Sequence, residues 1–301
     1  MDNLTHSLVG AVLGQAGLKR TTGLAMPALI IGANLPDVDA ACFFWLEGTE
    51  HLAFRRGITH GPPALALLPL VLAGLLWGWD RWQTQRGTRP EARLPVRFGW
   101  LYPMAFIGCL SHPFFDWLNV YGIRLLEPFS SQWFYGDTLF IIDVWLWALL
   151  IGTVWLSRWR EKRGGDWMRP ARVGIVATLA YIGANWAISV FSASFISSDN
   201  QVIASPAPLL SWRRETIVML DEGSWSIDGK VVGDCSLPDL TAARRANSQL
   251  DAFLFWSRAP FAVRAPDGSV ILHDARYYDP RARGRFSVAL PDVRCEELPT
   301  P

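Results

Sequence analysis

Four long apolar runs in the first two thirds of the chain constrain its fold more than any other feature. Each run approaches or exceeds the ~18–20 residues that a helix needs to cross the hydrocarbon core of a bilayer. The runs are Gly61–Trp79, Phe98–Leu118, Leu139–Leu156 and Val173–Phe195. Such runs predict a polytopic bundle of membrane helices, a mainly α fold.

Two shorter apolar runs precede these four. Ser7–Leu18 and Gly23–Leu35 would each cover only about 18–20 Å as helices, at ~1.5 Å per residue, so we expect short, tilted or re-entrant segments. Gly10 and Gly14 form a G-x-x-x-G face that lets the first helix pack closely on a neighbour. We therefore predict about six helical segments in a membrane domain spanning residues 1–196.

Composition agrees with a membrane chain. Half of the residues are hydrophobic and 18% are charged, against ~25% charged in ordinary soluble proteins. No Lys/Arg-rich patch with interleaved aromatics is present, so nucleic acid is not an expected partner. No cleavable signal is predicted, because Lys19 and Arg20 follow the first apolar run instead of preceding it.

The basic loops set the expected orientation. Lys and Arg are concentrated in the loops 80–97 and 157–172, whereas the loop 119–138 holds Arg124 alone. The positive-inside rule makes the two basic loops cytoplasmic and puts the 119–138 loop and the N-terminus outside. We therefore expect a multi-pass membrane protein, with Arg55 and Arg56 as a local exception on the outer side.

Residues of metal-ligand type lie at the outer ends of these segments. They are His6, Asp37, Asp39, His60, His112 and Asp116. His112 and Asp116 are four residues apart, so they share one helix face and suit two ligands of one metal; a simple capping pair is the alternative. Ionisable residues are costly inside a membrane and usually functional, which favours a metal site.

The remaining polar residues leave more than one interpretation. Asp37 and Asp39 repel each other unless a cation or a proton lies between them, although Asp is also an ordinary helix cap. His60 follows Arg55 and Arg56, which can grip phosphate oxygens; alone, it would be an interfacial histidine with one hydrogen bond. The loop residue Asp137 is equally consistent with a ligand and a plain charge, and Asp143 with a buried partner.

A mixed His/Asp set fits Zn²⁺, Mn²⁺ or Fe²⁺ better than a cysteine-type structural zinc site or an all-oxygen Mg²⁺ or Ca²⁺ site. The chain has no H-E-x-x-H, G-x-S-x-G, P-loop or G-x-G-x-x-G motif to suggest another mechanism.

The last third, residues 197–301, has a different pattern. Short alternating stretches, Thr216–Leu220, Ser224–Ile227 and Ser269–Leu272, are separated by turn signals, and Ala242–Phe255 is a candidate helix. We predict a small, soluble, β-rich domain on the extracytoplasmic, periplasmic side.

The four cysteines divide between the two regions. Cys235 and Cys295 lie in the β-rich region, where an oxidising compartment permits a disulfide; two unpaired thiols are the alternative. Cys42 and Cys109 lie in apolar runs and are expected to be buried.

Several stretches resemble the YdjM-like family of membrane-bound, metal-dependent hydrolases. They are Asn3–Gly10, Asn34–Asp39, Arg56–His60, Ser111–Asp116, Gly136–Asp143, Ala204–Pro208 and Asp274–Tyr277. The resemblance implies a helical membrane core with divalent-metal ligands. It also implies a remote kinship to the zinc phospholipase C and P1 nuclease group, and hence phosphoester hydrolysis. One departure is visible: many members have His and Ser where this chain has Arg55 and Gly61, so one metal would be missing or held differently if that His is a ligand.

With the resemblance, the leading hypothesis is a hydrolase embedded in the bacterial inner (plasma) membrane that acts on phospholipids or lipid-linked phosphates. It would hold one or more divalent metals, with zinc as the expected cofactor and Mn²⁺ or Fe²⁺ as alternatives. Asp37 or Asp116 would serve as general base, and Arg55 or Arg56 would stabilise developing negative charge. An ion or metal transporter and a non-enzymatic membrane protein with a partner-binding outer domain are the alternatives.

Overall fold

The computed structural model describes residues 1–196, 201–220, 224–236, 239–278 and 286–296. Its α-helices are α1 (Asn3–Gln15), α2 (Ala25–Gly32), α3 (Glu50–Phe54), α4 (Pro62–Gln85), α5 (Phe98–Trp117), α6 (Val144–Lys162), α7 (Met168–Ser194), α8 (Thr241–Ala246) and α9 (Ser248–Trp256). Its strands are β1 (Val202–Ala207), β2 (Leu210–Met219), β3 (Trp225–Ile227), β4 (Lys230–Val232), β5 (Pro260–Arg264), β6 (Ser269–Asp274) and β7 (Ser287–Arg294). The chain is therefore mostly helical with a small C-terminal β region, as predicted.

Local signals set where the helices begin. Asp2 caps α1 because its carboxylate accepts hydrogen bonds from amides of the first turn. Asp143 caps α6 in the same way, so the fifth predicted helix begins after Asp143 and not at Leu139. Pro62 opens α4 at a position where its missing N–H costs nothing.

Helices form in all six predicted segments, but in the part of the chain that the structure describes two or at most three spans are apolar enough to cross a membrane, not about six. Among the described helices, Pro62–Gln85 and Met168–Ser194 are long and apolar enough to cross a membrane. A third span results if Ala25–Gly32 and Leu35–Phe44, which meet at a 48° bend, count as one.

The remaining four helices do not qualify as spans for identifiable reasons. Helices α1 and α2 have 13 and 8 residues, too few to cross the hydrocarbon core, which agrees with the short segments expected there. Helix α5 carries the polar His112 and Asp116, and two prolines besides. Helix α6 runs on into the basic turn that holds Arg160 and Lys162, which lowers its mean hydropathy.

The structure divides into two compact units. The first comprises Met1–Asp39, Arg56–Trp186 and Pro208–Ser211. Within it, α1 packs against α2 and α6, and α5 packs against α2 and α4. A Cβ at Gly10 would lie 2.7 Å from the carbonyl oxygen of Leu29, so the close packing predicted from the G-x-x-x-G face is confirmed at the crossing of α1 and α2.

The second unit comprises Ala40–Arg55, Ala187–Ala207 and the described residues from Trp212 onward. It contains a four-stranded sheet in the order β1-β2-β3-β4 and a three-stranded sheet in the order β5-β6-β7. Pairing is antiparallel from β2 to β4 and from β5 to β7. The predicted start of the β-rich region, Ser197, lies outside the described residues, and the segment 40–55 groups with this unit.

The predicted details of the β-rich unit were mostly accurate. The expected strands lie within or beside β2, β3 and β6. The expected helix Ala242–Phe255 is two helices, because the Asn247 side chain caps α9 and breaks the run. A disulfide joins Cys235 and Cys295, and the predicted burial of Cys42 and Cys109 is confirmed.

Candidate metal centre

Three imidazoles and a carboxylate from separate parts of the first unit meet in its interior. His6 lies on α1, His60 in a 3₁₀ turn before α4, and His112 and Asp116 on α5. The Nε2 atoms of His6, His60 and His112 are 3.3, 3.6 and 3.5 Å from the carboxylate oxygens of Asp116. All four side chains are at most 1% exposed. We call this set the His/Asp cluster.

Asp37 lies at the edge of the cluster. Its Oδ1 is 3.9 Å from Nε2 of His112, and its side chain is 10% exposed. The ligand-type atoms of His6, Asp37 and His112 all lie within 4.8 Å of one another, and so do those of His60, His112 and Asp116. The two groups share His112.

The histidine rings pack directly against each other. The His6 and His112 rings are stacked, with centroids 3.8 Å apart and planes 19° from parallel. The His60 ring lies 5.0 Å from that of His112. Two protonated imidazoles this close would repel strongly in a buried site, so the arrangement favours neutral rings, the form that binds metals.

Hydrogen bonding fixes the tautomer of His112. Its Nδ1 is 2.7 Å from the carbonyl oxygen of Ala33. A carbonyl oxygen can only accept, so Nδ1 carries the proton and Nε2 presents its lone pair to the cluster. Metal-binding histidines are typically oriented by such a bond from the second ring nitrogen.

His60 is oriented through a longer chain of hydrogen bonds. Its Nδ1 is 2.9 Å from Thr59 Oγ1, and that hydroxyl donates to Asp39 Oδ2 at 3.2 Å. The hydroxyl therefore accepts from Nδ1, which leaves the Nε2 lone pair facing Asp116. Asp39 Oδ2 also accepts the backbone N–H of Arg56 at 2.8 Å. Asp39, a predicted ligand, thus occupies an orienting position and lies outside the two groups of the described first unit that could hold a metal ion.

Arg56 holds the carboxylate of the cluster. Its Nε and Nη2 lie 3.0 and 3.3 Å from the two oxygens of Asp116. Nη1 donates to Asn119 Oδ1 and to the Gly122 carbonyl at 3.0 and 3.2 Å, and the guanidinium lies over the ring of Tyr121. This fork positions Asp116, and the predicted role of Arg56 in stabilising developing negative charge stays a prediction.

The other predicted residues lie in different surroundings. The guanidinium of Arg55 lies 5.5 Å from the ring centroid of Phe43, within the second unit, and its proposed catalytic role stays a prediction. Asp143 caps α6 and accepts a hydrogen bond from the Tyr181 hydroxyl at 2.8 Å, which confirms it as a buried partner. Asp137 belongs to none of the groups of described residues that could hold a metal ion, and its role as a ligand stays a prediction.

The cluster has the properties expected of a cation site. Among the residues that the structure describes, both ring nitrogens of His6 and the Nε2 atoms of His60 and His112 are buried without a hydrogen-bond partner. Leaving a polar atom unsatisfied in the interior costs about 1–3 kcal/mol, so several around one point require an explanation. Imidazole nitrogens beside a carboxylate match the ligands that Zn²⁺, Mn²⁺ and Fe²⁺ prefer. The residues therefore fit a divalent metal.

Sequence reasoning missed the groups that support the cluster. Asn119 binds Arg56, and the carbonyl of Ala33 orients His112. A signal existed for Thr59, which precedes a candidate histidine. No pattern marks a backbone carbonyl, because every residue has one.

Apolar helices around a buried polar cluster define a helical membrane protein. A family model described as YdjM inner membrane protein matches residues 1–193, a range that includes the whole cluster. The chain belongs to this family of inner membrane proteins and associates with the lipid bilayer. No curated protein and no solved structure matches it.

Proposed function

We propose that this protein is a membrane-embedded hydrolase that depends on a divalent metal, with zinc as the expected ion. Its substrates would be phosphoesters such as phospholipids or lipid-linked phosphates. The protein would cross the inner membrane several times with its second unit in the periplasm. The observation that carries the proposal is the buried convergence of imidazole Nε2 atoms on Asp116, with hydrogen bonds that turn the lone pairs of His60 and His112 inward.

His6, His60, His112 and Asp116 would hold the ion, with Asp37 beside them. His112 belongs to both ligand groups, yet its Nδ1 is engaged by Ala33. One remaining lone pair cannot serve two ions, so the arrangement favours a single metal. When bound, the ion would act as a Lewis acid and lower the pKa of a water toward ~7.

The protein's own residues supply the remaining functions. Asp37 is the most exposed carboxylate of the set, at 10% against 1% for Asp116. It is therefore best placed to accept a proton from an attacking water as a general base. Arg56 keeps Asp116 oriented, and its fixed positive charge also favours an anionic phosphoester near the cluster.

The test is an assay of the purified protein with a phosphoester panel: a diacyl phospholipid, a lipid-linked diphosphate and a soluble phosphodiester. We expect hydrolysis that a chelator abolishes and added Zn²⁺ restores. His112→Ala should be inactive, and His51→Ala, which alters a histidine outside the cluster, should remain active. A folded, metal-loaded protein that cleaves none of the three substrates contradicts the proposal.

A further inference from the structure

The segment 40–55 exposes several large aromatic side chains, and exposure of such apolar surface to water is unfavourable. Phe44 is 91% exposed, Trp45 59%, Phe43 54% and Phe54 40%. Trp45 and Phe54 contact each other edge to face, with centroids 6.0 Å apart. We call these four residues the aromatic patch. Contiguous exposed apolar surface of this kind marks a contact with a protein, a ligand or a membrane.

The segment 40–55, which carries the aromatic patch, is packed against the rest of the second unit. Cys42 and Leu52, in the same segment, are completely buried. Helix α3 packs on α9 of the same unit, and the Thr49 hydroxyl donates to the carbonyl of Gln249 at 2.7 Å. The segment thus combines completely buried apolar residues with aromatic side chains of which Phe44 and Trp45 are the most exposed.

The residues next to the aromatic patch in the sequence indicate that it contacts the lipid bilayer. The patch begins at the end of the pair Ala25–Gly32 and Leu35–Phe44, which together are apolar enough for a broken membrane span or a re-entrant loop. Family membership establishes that the chain lies at a bilayer. Trp and Phe beside a basic side chain, here Arg55 over Phe43, form the combination enriched at membrane interfaces.

We propose that the aromatic patch inserts into the interfacial layer of the lipid bilayer and anchors the second unit to the membrane surface. The segment is covalently continuous with Asp39 and Arg56, whose contacts orient His60 and Asp116. The inference rests on family membership and on the exposed aromatics, so it stands whether or not the protein is a hydrolase.

A position-specific fluorophore tests this directly. Cys42 and Cys109 are replaced by Ala, the Cys235–Cys295 disulfide is retained, and a single cysteine introduced by Phe44→Cys is labelled with an environment-sensitive dye. Val231→Cys, on β4 and 64% exposed, is the matched control. Both proteins are reconstituted into phosphatidylethanolamine–phosphatidylglycerol vesicles, with and without nitroxide-labelled lipid.

The dye at position 44 should show blue-shifted emission and be quenched at least threefold more by nitroxide lipid than the dye at position 231. Equal, water-like emission at both positions would overturn the proposal. So would a dye at position 44 that is shielded from aqueous iodide and not quenched by lipid, since that would indicate a protein partner. Phe54→Cys provides a second reporter if the first variant does not fold.

Discussion

The Nδ1–H of His112 donates to the carbonyl oxygen of Ala33 across 2.7 Å, joining α5 to the end of α2. This one bond determines which nitrogen faces Asp116. It also fixes the ring against that of His6, its stacked neighbour. The orientation of the His112 ring in the His/Asp cluster therefore depends on how α2 packs against α5. Changes to groups that orient the histidines should consequently alter the affinity of the cluster for a metal.

Replacement of Thr59 by Val should weaken metal binding without removing a ligand. The change keeps the shape of the side chain but deletes the hydroxyl between His60 Nδ1 and Asp39. Loss of such an orienting group typically costs 10–100-fold in metal affinity. Competition with a fluorescent chelator measures this, and Thr59→Ser should bind as the wild type does. Equal affinity of the Val and Ser variants would exclude the relay.

Replacement by lysine should lower the thermal stability of the protein at Arg56 but not at Arg55. Removing the partner of a buried charge costs about 3–5 kcal/mol, and a lysine at position 56 could not reproduce the fork on Asp116. Arg56→Lys should therefore lower the midpoint of thermal unfolding in detergent by several degrees, whereas Arg55→Lys should have little effect. Matching midpoints for the two variants would show that Arg56 does not position Asp116.

Gly10 should not tolerate a methyl group. A Cβ there would lie 2.7 and 2.8 Å from backbone atoms of Leu29 and Ile30, and backbone cannot move aside as a side chain can. We expect Gly10→Ala to cost about 1–3 kcal/mol. Gly74→Ala, in α4 with open space around the new carbon, should be neutral or slightly stabilising. Thermal unfolding of the two variants decides the point, and a neutral Gly10→Ala would contradict the crossing geometry.

Acid should destabilise the second unit through Asp274. Burial raises the pKa of this carboxyl, but the Arg276 charge and hydrogen bonds from Arg276 and Ser257 outweigh that effect and hold the pKa below its usual value. The resulting stabilisation is complete above the unfolded pKa of ~3.9 and is lost as the pH falls through the lower folded pKa.

Thermal unfolding between pH 2 and pH 7 tests this assignment. Asp274→Asn should be less stable than the wild type at pH 7 and should lose less stability on acidification. Parallel curves for the two proteins would rule out Asp274 as the titrating group.

Individual residues show which parts of the fold and of the candidate site could be predicted from the sequence. Apolar periodicity located the helices, because the hydrophobic effect acts on composition directly. It overestimated the spans at α5 and α6, because α5 carries buried polar residues and two prolines and α6 ends in a basic turn. The residue types at positions 6, 112 and 116 identified candidates for the cluster, whereas the differing roles of Asp39 and Asp37 depend on backbone geometry between them. Backbone geometry also gives the neighbouring residues Arg55 and Arg56 different surroundings. Arg56 adopts φ 55° and its side chain contacts Asp116, whereas Arg55 lies over Phe43.

The central claim is that His6, His60, His112 and Asp116 bind one divalent metal. The most direct measurement is X-ray absorption spectroscopy at the metal edge, combined with elemental analysis, on the purified detergent-solubilised protein. We predict about one zinc per chain with several imidazole nitrogens at ~2.0–2.1 Å, and less than a tenth of that metal in His112→Ala. A correctly folded wild-type protein without stoichiometric metal, or one whose metal persists unchanged in His112→Ala, would contradict the account.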